Sequence, residues 1–244
     1  MLFRCIAAEN RKLRHSIIWV VFLVVPLISA LYGTFNYMQN VAILHDEWYS
    51  LWTQHTLFYA LFFFSPLVAV YAAYLWRLEH LGHNWNLIMS APVRPFALFL
   101  AKFCIVSKMA LLTQAWVFLL YVVCGKLWAQ FPGWPPLGIA LWLLRGFAGS
   151  LAIIAAQCLL SMVIRSFAVP VLIALGGGIS GMLFLSRNAG LFWPYSLMIM
   201  GMNANRTEDM ISGSLAPFFL ACCVFTAMFL FISNLLLTQR DVKT

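Results

Sequence analysis

Trp76-Arg-Leu-Glu79-His80-Leu-Gly-His83-Asn-Trp85-Asn86-Leu-Ile-Met-Ser-Ala-Pro92-Val-Arg94-Pro95-Phe-Ala-Leu-Phe-Leu-Ala-Lys102 is the longest polar interruption among strongly apolar segments in this chain, and it is basic. Wound as a helix from Arg77, it places Leu78, Leu81, Trp85 and Ile88 on one face, with Glu79, His83 and Asn86 on another. Pro92 and Pro95 then stop the helix before the sequence becomes apolar again. A short amphipathic helix between two membrane spans either lies on the bilayer surface or receives a partner.

The apolar segments around it settle the class. Of 244 residues, 64% are hydrophobic and 9% charged, against about 25% charged in a soluble domain. The runs are long and do not alternate, which selects helical spans over a barrel. Six spans are expected, near residues 16–37, 57–76, 103–125, 138–164, 168–186 and 215–237. Together they form one all-α membrane domain covering residues 1–244. The first apolar run continues past a cleavable signal core and is expected to stay as a span.

The net charge of +8 reads as topology rather than nucleic-acid binding, because the cations flank spans. One side holds Arg4, Arg11, Lys12, Arg14, Arg77, Arg94, Lys102, Arg165, Arg240 and Lys243. The other holds Lys126, Arg187 and Arg206. This asymmetry predicts cytoplasmic termini and a cytoplasmic 77–102 loop.

Residues 1–15 form a cationic amphipathic segment. Leu2, Ile6 and Leu13 align, while Arg4, Arg11 and Arg14 face away, as in a helix lying in the interface and meeting anionic lipids. Glu9 projects on the apolar side. It either snorkels to water or packs against protein and pairs with a cation. The first outer loop, residues 38–56, carries Asp46 and Glu47 beside Trp48, Tyr49 and Trp52, and these aromatics are expected at headgroup level. In the last outer loop, residues 187–214, the stretch 189–202 is apolar but broken by Pro194. It is too short to cross and return, so a re-entrant or interfacial segment is expected.

Chemistry-bearing patterns are few. Gly176, Gly178 and Gly181 satisfy the letter of the dinucleotide pattern, but inside an apolar span with no preceding strand. Gly177 and Gly181 better suit close helix packing. Glu79, His80 and His83 lack an obvious fourth metal ligand, and a solvated or partner-facing surface is expected there. Gly146, Ser150, Gln157 and Ser161 share one face of the fourth span, which either packs on a helix or lines a path for an amphipathic substrate. Lys108 and Arg145 lie close enough to membrane edges to snorkel. No His, Asp or Glu is expected between the edges, which argues against an intramembrane hydrolase or a proton-driven pump. None of the six cysteines forms a Cys-x-x-Cys pair, and five lie in or beside apolar runs, against a disulfide framework or zinc.

Ala8-Glu9-Asn10-Arg11-Lys12-Leu13-Arg14 resembles the opening of ABC-2 type permeases. Glu79, Asn84-Trp85-Asn86-Leu87, Ala91-Pro92-Val93-Arg94 and Ala101-Lys102 are similar to their first cytoplasmic loop, and Ser166-Phe167-Ala168 follows the fourth span as it does there. Phe192-Trp193-Pro194-Tyr195-Ser196 resembles the lantibiotic-immunity subgroup. The resemblance implies a multi-pass permease of the bacterial cytoplasmic membrane without its own ATPase or cofactor. ATP and Mg would sit on a cytosolic ATP-binding partner, and a second permease, identical or a sister chain, would complete the pore. It implies a coupling helix near residues 79–89, with Glu79, His83, Trp85, Asn86 and Arg94 facing the ATPase, and an interfacial helix bearing Glu9, Arg11, Lys12 and Arg14. The implied cargo is an amphipathic antimicrobial peptide, met by Asp46, Glu47, Gln157, Trp193 and Tyr195. Another exported amphipath (bacitracin, a drug or a lipid), or a non-transporting sensor or assembly protein, stays open.

Overall fold

The computed structural model describes residues 1–81, 94–211 and 215–239, with the side chain of Gln239 not included. Its elements are α1 (Leu2–Lys12), α2 (Ile18–Gln39), α3 (Glu47–Phe58), a π-helical turn (Tyr59–Phe63), α4 (Phe64–His80), α5 (Pro95–Leu127), α6 (Leu137–Val163), α7 (Ala168–Ser186), a 3₁₀ turn (Gly190–Phe192), α8 (Pro194–Gly201) and α9 (Leu215–Gln239). Among the described residues six helices are long and apolar enough to cross a membrane. They comprise α2, the continuous run Glu47–His80, α5, α6, α7 and α9.

The run Glu47–His80 is the axis of the bundle. In its apolar window 61% of residues are buried, against 11% for Leu215–Thr238, so the last helix turns most of its surface outward. Aromatic packing concentrates on this axis. Trp52, Tyr59, Phe64, Tyr71 and Trp76 are all at most 1% exposed. The π turn at its middle adds one residue per turn over an α-helix, and there α7 comes close: a Cβ on Gly178 would stand 2.4 Å from the Leu61 carbonyl oxygen.

The axis starts earlier than expected. Residues 47–56 belong to the helix, not to an outer loop. Their polar side chains hid them in the sequence, yet several find partners inside the fold. Thr53 Oγ1 donates to the Ser50 carbonyl and Thr56 Oγ1 to that of Trp52, at 2.7 Å each. Asn36 Nδ2 donates to Gln54 Oε1 at 2.5 Å. Satisfied in this way, polar groups cost little to bury. Trp48 and Trp52 are therefore core residues rather than headgroup anchors: Trp48 meets Tyr121 and Phe131 edge to face, and Trp52 Nε1 donates to the Met202 carbonyl at 3.0 Å. Tyr49 is half-buried against Trp142.

The sequence alone also places His55 in that outer loop. His55 lies instead within this helix, 1% exposed, with Nε2 2.8 Å from Thr34 Oγ1. At the other end the helix stops at His80, because Leu81 turns extended (φ −84, ψ 143). A helix running from Arg77 through Leu81 is thus corrected: residues 77–80 are the last turn of the axis. The third span begins at Pro95 rather than near Phe103. Proline at the first helical position fits there, since its missing N–H needs no partner.

Between α7 and α9 the chain folds back into the bundle. Trp193 stacks on Phe184 at 4.9 Å and donates through Nε1 to Ser180 Oγ at 3.1 Å. Ser180 lies six residues before the end of α7, about 9 Å down the helix. From Pro194, α8 climbs again along α6. Gly149 makes this possible: a Cβ there would stand 2.5 Å from the Leu197 carbonyl oxygen, so the two backbones touch. Gly177 lies under the Tyr195 ring in the same way, at 2.5 Å, and a Cβ on Gly181 would stand 3.1 Å from the Tyr195 backbone, which gives these two glycines of α7 the packing role expected for them.

Candidate functional site

At the α1 end of the bundle, residues 82–93 separate α4 from α5. Four charged side chains brace the described residues on either side. Lys102, on the second turn of α5, is fully buried. It donates to Glu9 Oε2 at 2.7 Å, to Glu79 Oε1 at 2.7 Å and to the Leu75 carbonyl at 3.0 Å. An ammonium has three N–H donors, so all three are used. Lys12 donates to Glu9 Oε1 at 2.5 Å and also to Glu79 Oε1. Two carboxylates and two ammoniums alternate, with no net charge left over. The Lys102 ammonium also stands 5.2 Å from the Trp76 ring centroid, within cation–π range.

The sequence brings this about through the geometry of α1. Glu9 and Leu13 are one turn apart and both point inward, at 1% and 3% exposure, while Arg4, Arg11 and Arg14 are exposed. Of the two readings of Glu9, the structure takes the paired one. Trp19 Nε1 donates to the Leu13 carbonyl at 2.9 Å, and Lys108 Nζ to Asn10 Oδ1 at 2.6 Å, so α1 is held at three points. Burial alone would depress the Lys12 ammonium. The hydrogen bonds to Glu79 and Glu9 outweigh it and hold Lys12 above its ordinary pKa.

The last turn of α4 reaches out in three directions. Glu79 faces α1 and α5 through the ion cluster. His80 Nε2 lies 3.0 Å from the Ser161 carbonyl on α6. The Arg77 guanidinium stands 5.9 Å from the Phe167 ring, at the start of α7. Glu79, expected on a solvated or partner-facing surface, is 3% exposed and committed to two lysines. Its solvation has been exchanged for two ion pairs, which is what an interior carboxylate requires. Arg94 is exposed and caps the start of α5. His83, Trp85 and Asn86, the remaining coupling candidates, lie outside the described residues.

Residues 5–181 match the family model described as ABC-2 family transporter protein. That region contains all four members of the ion cluster and most of the helical bundle. This chain belongs to the ABC-2 transporter family. It is a multi-pass membrane protein and a transport subunit of that family. No curated protein and no solved structure matches it.

In this ABC-2 chain the expected substrate residues divide into two groups. Gln157, Trp193 and Tyr195 come together: Gln157 Nε2 donates to the Tyr195 hydroxyl at 2.6 Å, and the Trp193 and Tyr195 rings are 6.0 Å apart. The polar face of α6 is covered by α8, with Met202 over Gly146. Asp46 and Glu47 sit apart, at the start of α3, and among the described residues no hydrogen bond or ion pair joins their side chains to that trio.

Sequence reasoning missed two functional-grade pairings. Lys102 counted only as a loop-side cation. The signal was its place seven residues after Pro95 in the run Phe96–Phe103, where a helix starting at Pro95 buries it and obliges it to find acids. Arg145, expected to snorkel, instead donates through Nη2 to Asp209 Oδ1 at 2.9 Å. Nothing in the local sequence links those two residues.

Proposed function

We propose that this chain is the permease subunit of an ATP-driven exporter that removes a cationic, lantibiotic-like peptide from the membrane for self-protection. Both termini and residues 82–93 face the cytoplasm in this reading. A cytosolic ATP-binding subunit carrying ATP and Mg docks on that loop, with Trp85 as the anchor and His83, Asn86 and Arg94 around it. Glu79 acts behind the docking surface as a brace. A second permease copy or sister chain completes the translocation unit, and the exposed arginines of α1 rest on anionic lipid headgroups.

The observation that supports this reading is the buried cluster Glu9–Lys12–Glu79–Lys102. It ties both flanks of residues 82–93 to one another and to α1, so a displacement delivered at the loop is shared by α1, α4 and α5 rather than dissipated. At the opposite end, the segment 187–214 acts as a re-entrant element, with Gln157, Trp193 and Tyr195 beside the substrate path.

The test is protection. A sensitive bacterium expressing this chain with its cognate ATP-binding subunit is challenged with a cationic lanthionine-containing peptide. Survival is expected to rise, and to fall back when the ATPase is made hydrolysis-deficient. Equal killing in all strains would remove the peptide as substrate. Protection without the ATP-binding subunit would remove the exporter reading itself.

A further inference from the structure

At the end of the bundle opposite α1, a cavity of about 450 Å³ opens between the loop 205–210 and α3. Thr53, Gln54, Arg206 and Glu208 are among its lining residues. This volume is that of a small-ligand site, and its walls mix polar and charged side chains with the apolar Leu44 and Met210.

The loop is rigidly built. Asn203 is fully buried and acts as its hub: Nδ2 donates to the Arg206 and Glu208 carbonyls at 3.1 and 2.9 Å, and Oδ1 accepts from the Met210 N–H at 2.9 Å. Asn203 and Asn205 take positive φ of 52° and 58°, which asparagine tolerates better than most residues. The Asn205 N–H donates to Thr56 Oγ1 at 3.3 Å, and Asp209 is held by Arg145 and Trp142. The backbone is thus pinned at every turn. Of the three charged residues it places in the cavity wall, Asp209 is paired in this way and the other two are not. Arg206 and Glu208 are exposed, and among the described residues neither enters an ion pair or a side-chain hydrogen bond.

A fixed frame presenting one free cation and one free anion, two residues apart, matches a ligand that carries both charges. The apolar sill adds the second clue. Leu44 and Met210 line the cavity, and Val41 and Ile43 beside Leu44 are 46% and 72% exposed. On a membrane protein such a sill faces acyl chains. We propose that this cavity binds the phosphoethanolamine headgroup of a phospholipid from the adjoining leaflet. Arg206 takes the phosphate, Glu208 the ammonium, and the acyl chains lie over Ile43 and Val41. The site stands independently of the exporter reading.

The test uses the purified full chain in maltoside micelles, titrated calorimetrically with dihexanoyl-phosphatidylethanolamine, dihexanoyl-phosphatidylglycerol and free phosphoethanolamine. The ethanolamine lipid is expected to bind about tenfold more tightly than the glycerol lipid, and more tightly than the free headgroup. Glu208→Gln should erase the preference between the two lipids, while Arg206→Gln should weaken both about tenfold. Both side chains are unbonded, so unchanged thermal unfolding of the variants verifies the fold. Absence of saturable lipid binding, or a preference that survives Glu208→Gln, would overturn the assignment. Free phosphoethanolamine binding as tightly as the lipid would overturn the lipid as occupant.

Discussion

Lys102 donates to Glu9 at 2.7 Å across 93 positions of sequence, and neither residue is more than 1% exposed. Exposed ion pairs contribute little to stability, whereas removing one partner of a buried pair leaves an uncompensated charge.

Lys102→Met is expected to destabilise the chain by about 3–5 kcal/mol, because Glu9 and Glu79 are left with Lys12 alone. Adding Glu9→Gln should return a large part of that loss, since the surplus charge disappears. Thermal unfolding of the four proteins of this cycle measures the coupling. Effects that add within about 0.5 kcal/mol would mean the residues act independently.

The Lys12 contribution has a definite pH window. Its folded pKa lies above the ordinary 10.5, so its stabilisation is complete below that value and is lost as pH rises through the folded pKa. From pH 7 to 10, α1 should stay docked in the wild-type chain. Lys12→Gln should loosen α1 throughout that range. Cys5 on α1 is a free, half-buried thiol and a natural reporter. Faster labelling of Cys5 at neutral pH is the expected result, read by peptide mapping.

The glycines facing α8 should sort by what stands over them. Gly149→Ala drives a methyl group against the Leu197 backbone, which cannot yield as a side-chain tip would. A cost of about 1–3 kcal/mol is expected, with greater protease sensitivity around residues 190–201. Gly177→Ala meets the Tyr195 ring and should behave similarly. Gly176→Ala meets nothing within 4 Å and should be neutral or stabilising, since alanine is the better helix former.

Asp209 gives a second pH signature. Burial would raise its pKa, but the hydrogen bond from Arg145 and those from the Ile211 N–H and Trp142 hold it below the usual 3.8. The stabilisation is present above the usual value and is lost as pH falls through the lowered one. Hydrogen-exchange protection of residues 203–210, taken relative to the intrinsic exchange rate at each pH, should therefore hold at pH 5 and fall only below about pH 4. Asp209→Asn should exchange faster already at pH 7. Equal exchange of both proteins at neutral pH would show that Asp209 does not secure the loop.

On the exporter reading, Trp85→Ala is expected to weaken attachment of the ATP-binding subunit or uncouple hydrolysis from export, with expression unchanged. Pull-down of the partner and substrate-stimulated ATPase activity measure the two effects. Wild-type values of both would deny Trp85 a role in coupling.

The bundle was legible where apolar runs end in charges. Ala168–Ser186 agrees at both ends with its sequence reading, since Arg165 and Arg187 flank it. It was illegible where polar groups are satisfied by distant partners. Residues 47–56 read as loop because Thr53, Gln54, His55 and Thr56 look soluble, and only the tertiary partners Thr34 and Asn36 make part of that surface bury. Pro194 announced the break before α8. The depth to which the segment folds back depends on Gly149 and Gly177, whose missing side chains become informative only once a neighbour is seen over them. At the ion cluster, the sequence exposed Glu9 as an oddity but not its partners, because Lys102 and Glu79 look like ordinary boundary charges until the helices are extended to Pro95 and His80.

The π turn at Tyr59–Phe63 sets the phase between the two halves of the axis. Upstream, His55 and Trp52 are aimed at α2 and the loop after α8. Downstream, Glu79 is aimed at Lys102. Excising one residue from the turn would rewind it to an ordinary helix and swing everything below it by about 100° relative to everything above. Each half would keep its own composition and hydrophobicity, yet the carboxylate would miss its ammonium. A single-codon deletion at mid-bundle is therefore a way to unplug one end of this chain from the other without touching a charged residue.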